Sequence, residues 1–343
     1  MYITFFGLQE EPFNLTPNPK YLYLSEGHKE ALARLKYGAE MRKGLIVLTG
    51  DIGSGKTTLI LTWVAKKPET QHTAVIINPK IVGKKFVHRI CREFAIELDF
   101  EECSKADILN LLYEYILKKS YEHILKKSFY EKNFVLIVDD AHELEKEQLD
   151  DILLLTKLET HTQKLIQIVL VGLPELTDKL KLDEFRAIRQ RIAIQYQLRT
   201  FSYSETKNYI FHRLSIAGCT KRDIFKPDAI QRIFQLSKGI PRTISIIASN
   251  ALLFAYLHGV KKIDHQIIDS STNESLQKMT DLKGEMKNTE QTEKFFSQIE
   301  AKTKSAKKPL GWWKWLMIVF FVILAFMGLI YLALIIINPY NLF

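Results

Sequence analysis

Short apolar runs recur between positions 45 and 196, each separated from the next by a stretch long enough for a helix. The runs are Leu45–Leu48, Ala74–Ile77, Phe134–Val138, Ile166–Val171 and Ile192–Tyr196. Most are apolar throughout, as strands buried on both faces are. With helices between them they predict an α/β domain over residues 44–200, a parallel sheet flanked by helices. Ahead of it, residues 1–43 pass from an aromatic, proline-punctuated start into a helical pattern beginning near Ser25, a segment expected to pack on the sheet domain.

From Phe201 the strand pattern stops and helix punctuation takes over. Ser202 with Glu205 three residues on reads as a capping box, and Gly218 as the stop of that helix. Pro227 suits the first turn of a second helix ended by Gly239. Pro241 opens a third that runs to Gly259, and Asp264 is placed to cap a short fourth. Residues 201–269 are therefore expected to form a small all-helical domain. Residues 270–314 are polar and lysine- and glutamate-rich, the composition of a linker.

Leu316 to Ile337 is 22 residues without a charge, flanked by Trp312, Trp313 and Trp315 on one side and Tyr340 on the other. A helix of that length spans about 33 Å, against a bilayer core of about 30 Å. A buried core helix is the alternative, but core helices are seldom so long and so uniformly apolar. The sequence predicts a transmembrane helix over 315–337, with aromatic residues at the headgroup level and a short tail, 338–343.

Charge sharpens this picture. Lys302, Lys304, Lys307, Lys308 and Lys314 precede the apolar segment, and no acidic residue follows position 300, so the positive-inside rule keeps the bulk of the chain in the cytoplasm. The net charge of +9 falls largely there, because the first 300 residues hold 43 basic against 39 acidic side chains. A general basic footprint for nucleic acid is weak. Three scattered cysteines exclude a disulfide framework or a cysteine zinc site.

One repeat stands out: the octad Tyr113–Ser120 is followed by a near copy, Tyr121–Ser128. Two copies are too few for a solenoid, and the expected effect is a longer helix before the Phe134 run.

The chemistry is concentrated in two motifs. Gly50-Asp51-Ile52-Gly53-Ser54-Gly55-Lys56-Thr57 matches G-x-x-x-x-G-K-[ST] and lies between a strand-like and a helix-like run that starts at Thr58. Such a loop wraps backbone N–H groups around phosphate oxygens at a helix N-terminus. Lys56 is expected on the β- and γ-phosphates of ATP and Thr57 on Mg²⁺. The apolar run 134–138 ends in Asp139 and Asp140. Asp139 is expected to hold Mg²⁺ and Asp140 to polarise the attacking water. His142, two positions on, is left without a role.

These motifs and others resemble the AAA+ ATPases of the general secretion pathway protein A type. The matching stretches include Phe6-Gly7-Leu8, Glu11-Pro12-Phe13, Thr16-Pro17-Asn18-Pro19, Leu22-Tyr23-Leu24-Ser25 with His28, the phosphate loop, and Ile168–Gly172 with Pro174-Glu175-Leu176. Further on are Gln190-Arg191-Ile192, Tyr209-Ile210, His212-Arg213-Leu214 and Gly239-Ile240-Pro241-Arg242. Together they cover about residues 5 to 260. The resemblance implies an AAA+ P-loop NTPase whose residues 201–269 are a lid. It implies that Arg191, or in its place Arg189, is an arginine finger reaching a neighbouring subunit's γ-phosphate. It also implies that Arg242 contacts the phosphates bound in its own subunit. For both arginines a surface salt bridge is the alternative.

Three residues depart from that family: Asp140 stands where glutamate is usual, His142 where glutamine is usual, and Leu173 where a glutamine is common. The shorter carboxylate makes slow hydrolysis the expectation. The family's prototype continues past its membrane helix into a peptidoglycan-binding domain, for which no residues are present here.

The resulting expectation is a homo- or hetero-oligomeric ATPase in the cytoplasmic membrane, using ATP and Mg²⁺ and driving assembly of a secretion or pilus-like envelope machine. Its partners would be components of that machine and membrane lipid, with nucleic acid disfavoured. An ATP-dependent DNA-binding regulator of transposition type, and a nucleotide-gated scaffold with little turnover, are the competing readings.

Overall fold

The computed structural model describes residues 2–274, apart from 17, 97–102, 126–132, 162 and 220–222. The expected linker from 275, the transmembrane helix 315–337 and the tail therefore lie outside the described residues. Among the described residues no helix is long and apolar enough to cross a membrane.

All five expected strands form: β1 (Leu45–Gly50), β2 (Gln71–Ile76), β3 (Asn133–Val138), β4 (Ile166–Gly172) and β5 (Ile192–Leu198). They pair in parallel in the order β2-β3-β4-β1-β5, so β1 lies between two strands that follow it late in the chain. The strands are apolar on both faces because each face has its own core. Leu45, Val47, Leu136, Val138, Ile168 and Leu170 face one cluster, and Ile46, Leu48, Val135, Ile137, Val169 and Val171 face the other.

The described residues also form the α-helices α1 to α11, numbered in chain order. The first, α1 (Tyr2–Phe5), is a single turn, and α2 (Glu26–Glu40) follows the proline-rich segment. Helices α3 (Lys56–Ala65), α4 (Lys84–Glu93), α5 (Lys105–Leu125) and α6 (Lys146–Leu155) come before β4, with the short α7 (Glu175–Lys181) and α8 (Arg186–Arg189) after it. Ile108, Leu112 and Ile116 anchor α5 in the first core cluster. The first octad and the start of the second lie within α5, a helix of 21 residues, as the duplication suggested.

The helical domain contains α9 (Tyr203–Ile216), α10 (Pro227–Ser237) and α11 (Pro241–Leu257), and residues 265–274 are also helical. The Ser202–Glu205 capping box is formed, with Glu205 N donating to Ser202 Oγ over 3.3 Å. Proline occupies the first turn of both α10 and α11. Asp264 Oδ1 accepts from Ile267 N at 3.3 Å, capping the last segment. Gly239 permits a close crossing: a Cβ there would stand 2.0 Å from the Phe201 carbonyl oxygen.

The N-terminal segment departs from expectation. Leu24 and α2 pack on the sheet, α2 through Ala31, Leu35 and Ala39. Leu8 and Phe13 are instead buried in the helical domain's core, with Tyr2, Ile3 and Phe6 against it. Aromatic side chains need an apolar wall. The sheet's second face is already covered by α2 and α3, whereas the small lid core is completed by these rings. The chain thus runs from the lid to the sheet across the cleft between them.

Candidate nucleotide site

The cleft opens at the C-terminal end of β1, where β1 parts from α3 and from the crossover to β2. This is the position at which open parallel sheets bind ligands. The loop turns on two glycines in the left-handed region, Gly53 (φ +77°) and Gly55 (φ +96°). Gly53 also lets the lid approach. Its carbonyl accepts from Arg242 N at 3.2 Å, and a Cβ on Gly53 would lie 2.5 Å from the Arg242 Cβ.

Lys56 is 8% exposed, and its Nζ donates to the carbonyls of Gly50 (2.7 Å) and Asp51 (2.9 Å). Burial lowers its pKa while the Asp139 and Asp140 carboxylates oppose that shift. A buried ammonium held by carbonyl dipoles is one that phosphate oxygens would stabilise better.

Thr57 Oγ1 donates to Asp139 Oδ2 at 2.6 Å, joining the start of α3 to the end of β3. Asp139 is buried, and its Oδ1 accepts from Asp140 N at 3.0 Å. That bond closes a tight turn with Asp140 in the left-handed region at φ +53°. Burial, and then the Asp139 charge, raise the Asp140 pKa above the usual aspartate value.

Magnesium fits this donor pair. A hydroxyl and a carboxylate are hard oxygen ligands, and Mg²⁺ takes one or two from protein with the remainder from phosphates and water. Among the described residues there is no group of three His, Cys, Asp or Glu side chains able to hold a metal without a phosphate.

The cleft is a cavity of about 450 Å³ lined by Ile52–Thr58, Asp140 and Arg242, with His142, Glu143 and Leu173 beside them. Gly50 and Asp51 form the base of the loop and hold Lys56. The opposite wall comes from the N-terminal segment (Asn14–Thr16, Asn18, Tyr21–Tyr23) and from the lid (Tyr209, Arg213, Ser245).

Arg191 is elsewhere. It directly precedes β5, whose Ile192 is opposite Leu45, the first residue of β1, so Arg191 lies at the end of the sheet away from the phosphate loop. Arg189 donates to the carbonyls of Leu180 (3.3 Å) and Lys181 at the end of α7. Neither side chain lines the cavity.

Two residues that the motifs include but assign no role hold the cavity together. His28 is 2% exposed and bonds to Ser54 of the phosphate loop. Arg213 is 7% exposed and donates to Pro12 O (2.6 Å), Asn14 O (2.9 Å) and Tyr209 OH (2.8 Å). It thereby ties α9 to the N-terminal segment. The only signal in the sequence was that polar residues recur within apolar motifs.

Comparison with known proteins bears on the family and the fold. Residues 39–180 match the AAA domain family. Residues 39–180 therefore carry an AAA domain. The expected kinship is found as well: general secretion pathway protein A of Aeromonas hydrophila is 39% identical over 265 residues, 77% of this chain and 47% of the relative. The chain thus spans about half the length of that curated relative. Among solved structures the AAA+ domain is similar to the Aeropyrum pernix ORC2 protein in its ADPNP-ADP complexes, with a TM-score of 0.56 at 16% identity over 78% of this chain and 72% of that one. It is also similar to Drosophila ORC bound to DNA, with a TM-score of 0.58 at 16% identity over 78% and 64%. At such identities the likeness is one of fold alone.

Proposed function

We propose that the chain is a membrane-anchored AAA+ ATPase that binds and hydrolyses Mg·ATP to drive assembly of a type II secretion or pilus-like envelope machine. The 2.6 Å bond between Thr57 and Asp139, beside a buried Lys56, carries the reading. It sets a hydroxyl, a carboxylate and an ammonium where a triphosphate gripped by the loop would present its oxygens. Bound there, Mg²⁺ would neutralise charge on the β- and γ-phosphates.

The chain's own groups then divide the work. The loop's N–H groups and Lys56 orient the triphosphate, and Asp140 holds and polarises the attacking water. Arg242, on the lid, adds a guanidinium from the same subunit. Arg191 serves a neighbouring subunit, which requires an oligomer. The envelope role rests on the relative's name and on the uncharged stretch after Trp315, which would hold the protein in the cytoplasmic membrane with residues 1–314 inside. The near balance of charge over residues 1–300 disfavours the DNA-binding reading.

Phosphate release by the full-length protein in detergent or nanodiscs tests the activity. Release that Asp140→Asn abolishes supports it. Equal, slow release by wild type and Asp140→Asn would favour the nucleotide-gated scaffold, for which the short Asp140 side chain is the argument.

A further inference from the structure

At the end of the cavity where a γ-phosphate would lie, the closing residue of β4 offers no polar side chain: Gly172 is followed by Leu173, which lines the wall. His142 occupies that space from another element. It follows the Asp139–Asp140 turn, lines the cavity beside Asp140, and has its backbone and ring against Gly172. A Cβ on Gly172 would lie 3.1 Å from His142 N and 3.5 Å from His142 Nδ1, so the close packing depends on a glycine there.

The ring carries an unspent hydrogen-bonding atom, because Nδ1 is buried and has no partner. An unpaired buried nitrogen is unfavourable, so a turn of the ring that brings it from Gly172 to a ligand in the cavity gains a hydrogen bond. The His142 imidazole and the Asp140 carboxylate are also close enough to interact electrostatically.

On the reading that the cavity takes Mg·ATP, we propose that His142 is the γ-phosphate-sensing residue of this site. Its imidazole donates to the γ-phosphate, or to the water that attacks it, and supplies the polar contact that Leu173 cannot. ADP has no γ-phosphate and leaves the imidazole without that contact. His142 therefore discriminates ATP from ADP and couples the Asp140 turn to the nucleotide state.

The test compares full-length wild type, His142→Ala, His142→Gln and the double variant His142→Ala/Leu173→Gln. Equilibrium binding of Mg·ADP and of a slowly hydrolysed Mg·ATP analogue is measured with phosphate release. His142→Ala is expected to bind ADP within twofold of wild type, to bind the analogue about tenfold more weakly and to lose most turnover. His142→Gln and the double variant should recover at least part of the ATP preference, since each returns an amide donor to that wall. An unchanged analogue-to-ADP ratio in His142→Ala would overturn the proposal. So would an equal loss of both ligands in His142→Ala and His142→Gln, which marks a purely structural histidine. Failure of wild type to bind either nucleotide would instead remove the ATPase reading beneath it.

Discussion

His28 Nε2 lies 3.0 Å from the carbonyl oxygen of Ser54, in the middle of the phosphate loop. A carbonyl can only accept, so Nε2 carries the proton, and Nδ1 takes the Ser25 hydroxyl hydrogen at 2.7 Å. A Cβ on Gly55 would come within 2.9 Å of that Nε2, so ring and loop are in close packing. The start of α2 thus fixes the loop from behind, through a neutral imidazole.

This bond has a pH dependence. Burial lowers the His28 pKa from its ordinary 6.5, and His212, which bonds to the Leu22 carbonyl at 3.2 Å, is lowered by burial as well. A histidine whose folded pKa is depressed contributes stability that is complete above pH 6.5 and lost as pH falls toward the folded value. Thermal unfolding at pH 7.5 and 5.5 should therefore show a smaller loss for His28→Asn than for wild type. At pH 7.5 the variant should be less stable by about 1–3 kcal/mol, the cost of a buried bond unmade.

Gly239 gives a second prediction, about the fold rather than the chemistry. Alanine there would place a methyl 2.0 Å from the Phe201 oxygen at a residue with φ +75°. The backbone must move, and Phe201 N would lose its 2.9 Å bond to the Gly239 carbonyl. Gly239→Ala should destabilise the protein by more than about 2 kcal/mol in urea unfolding, as strained positions do. Gly7→Ala, with open space around it, serves as the control for a positive φ alone.

Asp140 makes a third. Glutamate at this position restores one methylene of reach toward the attacking water. Asp140→Glu should raise phosphate release severalfold, while Asp140→Asn should abolish it and leave nucleotide binding within about threefold. Single-turnover assays separate the two effects. A faster Asp140→Asn protein would remove the carboxylate from the mechanism.

For Arg191 the geometry sets a distinct expectation, because its side chain is outside its own subunit's cavity. Arg191→Ala should bind Mg·ATP as wild type does and lose turnover about 10²-fold or more in the assembled protein. Mixing it with Lys56→Ala chains should restore part of the activity. Intact Lys56 sites would then face intact Arg191 side chains across a subunit boundary. Weakened binding in the Arg191 variant would contradict its assignment to a neighbour.

Much of this arrangement was legible before any coordinates. Strands apolar on both faces, Ser202 with Glu205, and proline before the lid helices are local signals, and the structure follows them closely. The phosphate loop was legible because its glycines are set by backbone geometry rather than by neighbours. The fate of Phe13 was not, since an aromatic ring reads as buried without saying in which core. His28 and Arg213 stayed without roles for a similar reason. Their distant partners are a carbonyl 26 residues away and carbonyls about 200 residues away, and backbone oxygens leave no trace in a sequence.

Binding of Mg·ATP to the full-length protein in nanodiscs, measured by calorimetry for wild type and Lys56→Ala, tests the central claim most directly. The account predicts saturable, magnesium-dependent binding by wild type and a loss of at least about 100-fold in the variant, as removal of a charge-assisted phosphate contact in a buried site should give. Absence of adenine-nucleotide binding by wild type, or equal binding by Lys56→Ala, would contradict it.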